Sequence, residues 1–228
     1  MATIYGRQLP PALKDPLLTA LTIMLAVIMF VAAPLQAAGV LGAHGFGFVI
    51  GAVIIAAAFI VSNSWLAVAP LLVSLALIAL ATLFRLRHPS ATDIFLDASA
   101  WLILSLTLVV ITARAVFAAG KMTYHRIIGA ILLYLAIGLL FVALFCLLAL
   151  LEPNAFRGLG RLHDNLAVAS NFVYFSFVTL TTVGYGDIVP LHPIARSLAN
   201  IEAIIGQLYP ATLLARLVSL EIESRRNR

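Results

Sequence analysis

Charged side chains are scarce in this sequence: Asp, Glu, Lys and Arg make up 10% of 228 residues. A soluble domain draws about a quarter of its residues from that group, because it has to present polar surface to water. Here 63% of residues are hydrophobic and the mean hydropathy is +1.11. Long stretches offer no polar surface at all, which excludes a soluble globular domain and leaves a membrane protein. Cysteine is nearly absent. The single Cys146 lies in an apolar run, so there is no intrachain disulfide and no thiolate metal cluster. No assembled nucleophile or cofactor motif is visible either, so the expectation is a non-enzyme without a cofactor. The chemistry has to come from the backbone and a few polar side chains. The net charge of +5 does not make nucleic acid a partner, since the basic residues sit at the ends of apolar segments and in the tail ESRRNR, where cations meet lipid headgroups.

The apolar runs predict an all-α membrane protein with six transmembrane helices, at 17–37, 46–62, 65–84, 95–118, 127–151 and 195–219. Most approach the ~20 residues that a helix rising ~1.5 Å per residue needs to cross a ~30 Å hydrocarbon core. The second run has 17 residues and is joined to the third by SNS, which predicts a helical hairpin. The first run follows Arg7 and Lys14, as a signal peptide would, but it is long for an h-region and is read as a spanning helix. With both termini cytoplasmic, nine Lys and Arg residues fall inside and five outside, the bias expected of a plasma-membrane protein inserted in that sense. RLRHP at 85–89 is an awkward basic loop to leave outside. The division that follows is a cytoplasmic N-terminus (1–16), a four-helix membrane domain (17–118), an amphipathic linker (119–126), a pore domain (127–219) and a cytoplasmic tail (220–228).

A seventh apolar stretch, LAVASNFVYFSFVTLT at 166–181, is shorter and contains Ser170, Asn171, Ser176 and Thr179. It follows RLHDN, where Asp164 or Asn165 is a suitable helix cap. A short helix, a glycine-containing loop and then a spanning helix read as a re-entrant segment. Non-helical backbone at membrane depth is stable only when buried in protein or lining a wet cavity, so the loop TTVGYGD, 181–187, has to face water or ions.

A dehydrating cation needs oxygens in place of its water shell, and successive backbone carbonyls aimed at one axis supply them. Gly184 and Gly186 permit φ > 0 at alternate positions, which turns carbonyls inward and sends the side chains of Val183 and Tyr185 outward. Thr182 adds a hydroxyl at the inner end. A phosphate-binding glycine loop would need a further glycine, a lysine and a preceding strand, all missing here. The run TTVGYGD, with an aromatic-rich helix before it and IVP and a final helix after it, resembles the signature filter of tetrameric potassium channels. The resemblance implies potassium, as permeant ion, coordinated by the Thr182 hydroxyl and by the carbonyls of Thr182, Val183, Gly184 and Tyr185, with Gly186 completing the run. It places Asp187 at the outer mouth and makes Thr181, Thr179 and Tyr174 supports of the filter. Many family members have two adjacent tryptophans where this chain has Tyr174 and Phe175; Tyr174 keeps a donor and Phe175 does not, with Thr179 a possible substitute toward Tyr185. Phe172, Tyr174, Phe175 and Phe177 form either a cuff that sets the filter's width or ordinary packing. The pore helix directs its partially negative C-terminus toward the ion path.

In the last span Gly206 precedes Pro210 by four residues, and the proline ring crowds the Gly206 carbonyl. The pair predicts a kink, matching the family's gating hinge if it moves. Glu202, one turn before Gly206, is an ionisable group at membrane depth and so a functional candidate. It is placed behind the filter against the pore helix, near the cavity, or against a neighbouring subunit. Gln207 and Asn200 are weaker polar candidates. The fourth span carries Arg114 alone, and since voltage acts on charge inside the field at about 2.3 kcal/mol per charge per 100 mV, strong voltage gating is not expected. By the family's rule one filter per chain implies a homotetramer in a lipid bilayer. The chain ends soon after the last helix, so no cytoplasmic ligand-binding domain is expected. The function expected is passive, potassium-selective conduction. Two other classes stand beside it: a secondary cation transporter, for which no repeated broken-helix halves are visible, and a non-conducting membrane sensor or regulatory subunit.

Overall fold

The computed structural model describes residues 11–32, 65–87, 91–117, 124–159 and 165–226, together with Pro34, Leu35, Ala38 and Gly51. Helices account for nearly all of it. α1 (Pro11–Val27) runs into a π-helical turn (Ile28–Ala32); α2 (Trp65–Arg87), α3 (Ala91–Phe117) and α4 (Tyr124–Leu151) follow. Next come β1 (Phe156–Arg157), α5 (Asn165–Leu180), β2 (Val189–Pro190) and α6 (Pro193–Arg226).

Leu, Ile, Val and Ala dominate α2 to α4, so these helices are apolar on every side and suited to a buried or lipid-facing position. Their few hydroxyls are satisfied locally. Ser74 donates to the Leu71 carbonyl at 2.8 Å, Ser105 to Trp101 at 2.7 Å and Thr112 to Leu108 at 2.6 Å, each one turn back, so no polar group is stranded. Large apolar side chains including Leu72, Val73, Leu83, Leu106 and Val110 are exposed, which suits hydrocarbon as the surrounding solvent.

Two described helices are long and apolar enough to cross a membrane, Ile94–Arg114 within α3 and Ile127–Leu151 within α4, while Thr19–Ala32, Val68–Phe84 and Ala169–Leu180 are shorter apolar stretches. Of the six expected spans, two are shown among the described residues. The expected span 46–62 lies outside those residues apart from Gly51. α6 is helical from Pro193 to Arg226, well past residue 219, and Asn200, Glu202, Gln207 and Arg216 dilute its hydrophobicity. The expected linker 119–126 is shortened, because Tyr124, His125 and Arg126 already belong to α4; residues 119–123 lie outside the described set.

The core gathers on α4, which packs against α1, α3, α5 and α6. Leu132, Leu133, Ala136, Phe141, Phe145 and Ala149 are buried there. Toward its C-terminal end Phe145 meets Phe175 edge to face at 5.0 Å and Phe156 at 5.7 Å, and Phe156 in turn meets Phe172 at 5.1 Å. Edge-to-face rings gain energy beyond the area they bury, so this cluster ties the start of the pore segment to α4.

Candidate functional site

α5 starts at Asn165, one of the two expected capping positions; Asp164 lies outside the described residues. The helix ends at Leu180, and the next four residues return their amides to its last turn. Thr181 N–H donates to Phe177 O at 3.0 Å and Thr182 N–H to Thr179 O at 2.9 Å; Val183 and Gly184 N–H share Val178 O at 3.0 and 3.3 Å. Thr181 Oγ1 also donates to Phe177 O, at 2.6 Å. Three of the helix's terminal carbonyls, those of Phe177, Val178 and Thr179, are thus taken by loop donors. Among the described residues, no backbone hydrogen bond is accepted by the carbonyls of Thr182, Val183, Gly184 or Tyr185.

Backbone handedness alternates along the loop. φ is +60° at Thr182, +60° at Gly184 and +80° at Gly186, while Val183 and Tyr185 stay on the negative side. Such alternation lets successive carbonyls point to one side and the intervening side chains to the other. Glycine adopts these values freely; Thr182 holds the left-handed region against its Cβ. All seven residues of TTVGYGD are exposed on the single chain, Val183 at 54% and Tyr185 at 72%, large values for apolar and aromatic groups.

The expected supports take different places. Tyr174 stacks parallel to Tyr185, with ring centroids 6.3 Å apart. Thr179 meets the loop through its carbonyl. Of the four expected cuff aromatics, Phe172 and Phe175 belong to the cluster around Phe145, and Phe177 packs edge to face on Phe30 of the π turn at 4.8 Å; Tyr174 alone stacks on a filter side chain. An open cavity of about 400 Å³ lies between Met29 and Phe30 on one side and Tyr174, Phe177, Val183 and Tyr185 on the other.

Beyond the loop, β2 pairs antiparallel with β1, Val189 opposite Arg157 and Pro190 opposite Phe156. Leu191 N–H adds a bond to Ala155 O at 2.7 Å. Gly158, with φ +90°, lies so close to Asp187 that a Cβ there would overlap the Asp187 carbonyl. Sequence reading did not find this clasp, since two-residue strands leave no period; Gly158 after Phe-Arg was its one local sign.

α6 runs unbroken through Gly206 and Pro210. Gly206 is buried because a Cβ at that position would overlap the Leu180 carbonyl, so close helix approach is sufficient reason for a glycine there. Gln207, Asn200 and Pro210 are exposed on the single chain. Glu202 is fully buried and faces α5, its Oε1 lying 2.5 Å from Ser176 Oγ. Ser176, one of the polar residues noted in this stretch, also lies 2.9 Å from Gly138 O; two partners not singled out from sequence are Tyr134, donating to Leu180 O at 3.2 Å, and Tyr209, donating to Ala130 O at 2.8 Å.

A re-entrant helix, a carbonyl-presenting loop and two flanking helices describe the pore unit of a channel. Residues 129–222, which take in most of α4 to α6, match a family model described as Ion channel. Among curated proteins the chain is similar to Protein LctB of Bacillus caldotenax and to Protein LctB of Geobacillus stearothermophilus. Each is 38% identical over 55 residues, which is 24% of this chain and 40% of the relative. The match thus spans well under half of those relatives' length. No solved structure matches the chain.

Proposed function

We propose that the protein is a potassium-selective channel in which four copies bring their TTVGYGD loops around one axis. The observation that carries this reading is the sign alternation of φ at Thr182, Gly184 and Gly186 in a loop whose amides are spent on α5. Four such loops supply rings of carbonyl oxygens from Thr182 to Tyr185, with the Thr182 hydroxyls at the inner end, in place of the ion's water shell. Tyr174, stacked on Tyr185, supports the loop next to Asp187 at the outer mouth. The match to the ion-channel family supports the pore unit, and the resemblance of the filter run supports potassium over sodium. The full subunit has six spanning helices, both termini in the cytoplasm and its place in the plasma membrane. Conduction is passive and only weakly voltage-dependent, since α3 carries Arg114 as its one basic residue.

Purified protein reconstituted in planar bilayers under a potassium/sodium gradient tests this reading. The expected reversal potential lies close to the potassium equilibrium value. A reversal near zero overturns the selectivity; uptake that requires a coupled ion, without channel currents, indicates a transporter.

A further inference from the structure

The carboxyl of Glu202 sits where three helices meet, and among the described residues no ion pair accompanies it. Between Ile127 and Leu151 of α4, throughout α5, and from Ser197 to Ala215 of α6, the sequence contains no lysine, arginine or histidine. The titratable neighbours on these elements are tyrosines: Tyr134 of α4, which lies within electrostatic range of Glu202, and Tyr209 on α6 itself, stacked on Tyr134 at 5.8 Å. A buried carboxylate without a cation is strongly disfavoured.

Proton counting points the same way. Ser176 Oγ is within hydrogen-bond distance of two groups, Gly138 O at 2.9 Å and Glu202 Oε1 at 2.5 Å. A serine hydroxyl has one hydrogen, and a backbone carbonyl has none to give. If Ser176 donates to Gly138, the hydrogen between Ser176 and Glu202 has to come from Glu202. Oε2 is buried with no hydrogen-bond partner among the described residues of the single chain. As the carbonyl oxygen of an acid it is a neutral acceptor left unpaired; as half of a carboxylate it would be an unsolvated anion.

We propose that Glu202 is an un-ionised carboxylic acid that acts as a positioning residue, donating to Ser176, which donates to the Gly138 carbonyl, so that α6, α5 and α4 are clasped behind the filter. The same register repeats one turn away on each helix. Four residues on from Ser176 and Glu202, the Leu180 carbonyl meets Gly206, and four residues back from Gly138, Tyr134 donates to that carbonyl. Leu180 directly precedes TTVGYGD, so whatever fixes α5 at Ser176 also fixes the base of the loop. The positioning role rests on the channel reading above; the protonation state does not.

Infrared difference spectra of purified full-length wild type and Glu202→Gln at neutral pH decide the protonation state. The wild type is expected to show the carbonyl stretch of an un-ionised carboxyl that the variant lacks. A difference spectrum showing only carboxylate bands overturns the proposal, whether or not the protein conducts. Potassium flux in liposomes then tests positioning. Glu202→Gln keeps a donor and is expected to carry about tenfold or more the flux of Glu202→Ala, in line with the loss of a buried hydrogen-bonded partner. A Gln variant as impaired as the Ala variant, in a conducting wild-type background, overturns the positioning role. Ser176→Ala supplies a second arm should Glu202→Ala fail to fold, and it is expected to match the Ala phenotype. A wild type without flux would sink the channel reading while leaving the infrared result to stand by itself.

Discussion

At Gly184 and Gly186 the backbone holds φ of +60° and +80° with nothing crowding the missing side chain. Substitution there is therefore a matter of backbone strain and not of space. Gly184→Ala forces an L residue into a conformation disfavoured by about 1–2 kcal/mol, repeated in every copy of the loop, and potassium flux is expected to vanish while the helical signal in circular dichroism is retained. Gly206→Ala is the opposite case. Its methyl group would overlap the Leu180 carbonyl, and overpacking of this kind costs about 1–3 kcal/mol, read as a lower midpoint of thermal unfolding. The left-handed glycines were legible in the sequence because only φ > 0 accounts for GYG between two apolar runs. The third positive φ, at Thr182, was not, since a β-branched residue gives no such sign. Gly206 was legible as a special position beside Pro210, but the neighbour that requires it is 26 residues away in the chain, where no local pattern could point.

Helices α2, α3 and α4 follow their apolar runs closely, because a long stretch of Leu, Ile and Val in hydrocarbon has no alternative but to satisfy its backbone internally. Their ends were less legible. α4 begins at Tyr124 because Tyr-His-Arg contains no breaker, and α6 continues to Arg226 through the helix-forming residues of LEIESRR. In sequence the α5 aromatics read as either a cuff or ordinary packing; their helical spacing deals them to three neighbours: α4, the π turn and the loop TTVGYGD. Phe145, which joins Phe156, Phe172 and Phe175, is fully buried. Phe145→Ala is expected to destabilise by about 3–5 kcal/mol, with accelerated proteolysis of the segment between α4 and α5 as the accompanying readout. At the other end of the molecule Arg216 of α6 reaches the last turn of α3, donating to Val116 O at 3.1 Å and Phe117 O at 3.4 Å with its guanidinium 5.3 Å from the Phe117 ring. A cation on a helix C-terminus contributes about 0.3–1 kcal/mol. Arg216→Ala is expected to speed amide exchange in the turn that follows Thr112. Arg216→Lys restores it only in part, lacking the planar fork that spans two carbonyls.

For the whole molecule, the surface left over is the informative part. Val183 and Tyr185 are joined by Ile201, Ile204 and Leu208, exposed at 46%, 57% and 56% along α6, a spacing of three and four residues that makes one stripe. The exposed loop residues and this stripe are apolar surface of the kind that the proposed symmetric assembly would bury. Native mass spectrometry from detergent is expected to give four times the chain mass, and Ile204→Glu to shift the distribution toward single chains. A wild-type protein that remains monomeric at every detergent concentration would remove the basis for a shared axis.

Because Gly206 interposes no side chain between α6 and the last carbonyl of α5, the two helices meet there as bare main chain, a joint without a cushion. A tilt or slide of α6 has no flexible rotamer to absorb it and arrives undiminished at the residue before Thr181. On the proposed channel reading, α6 and the start of TTVGYGD are therefore one mechanical part, and a stimulus that moves the C-terminal end of α6 is felt at the loop.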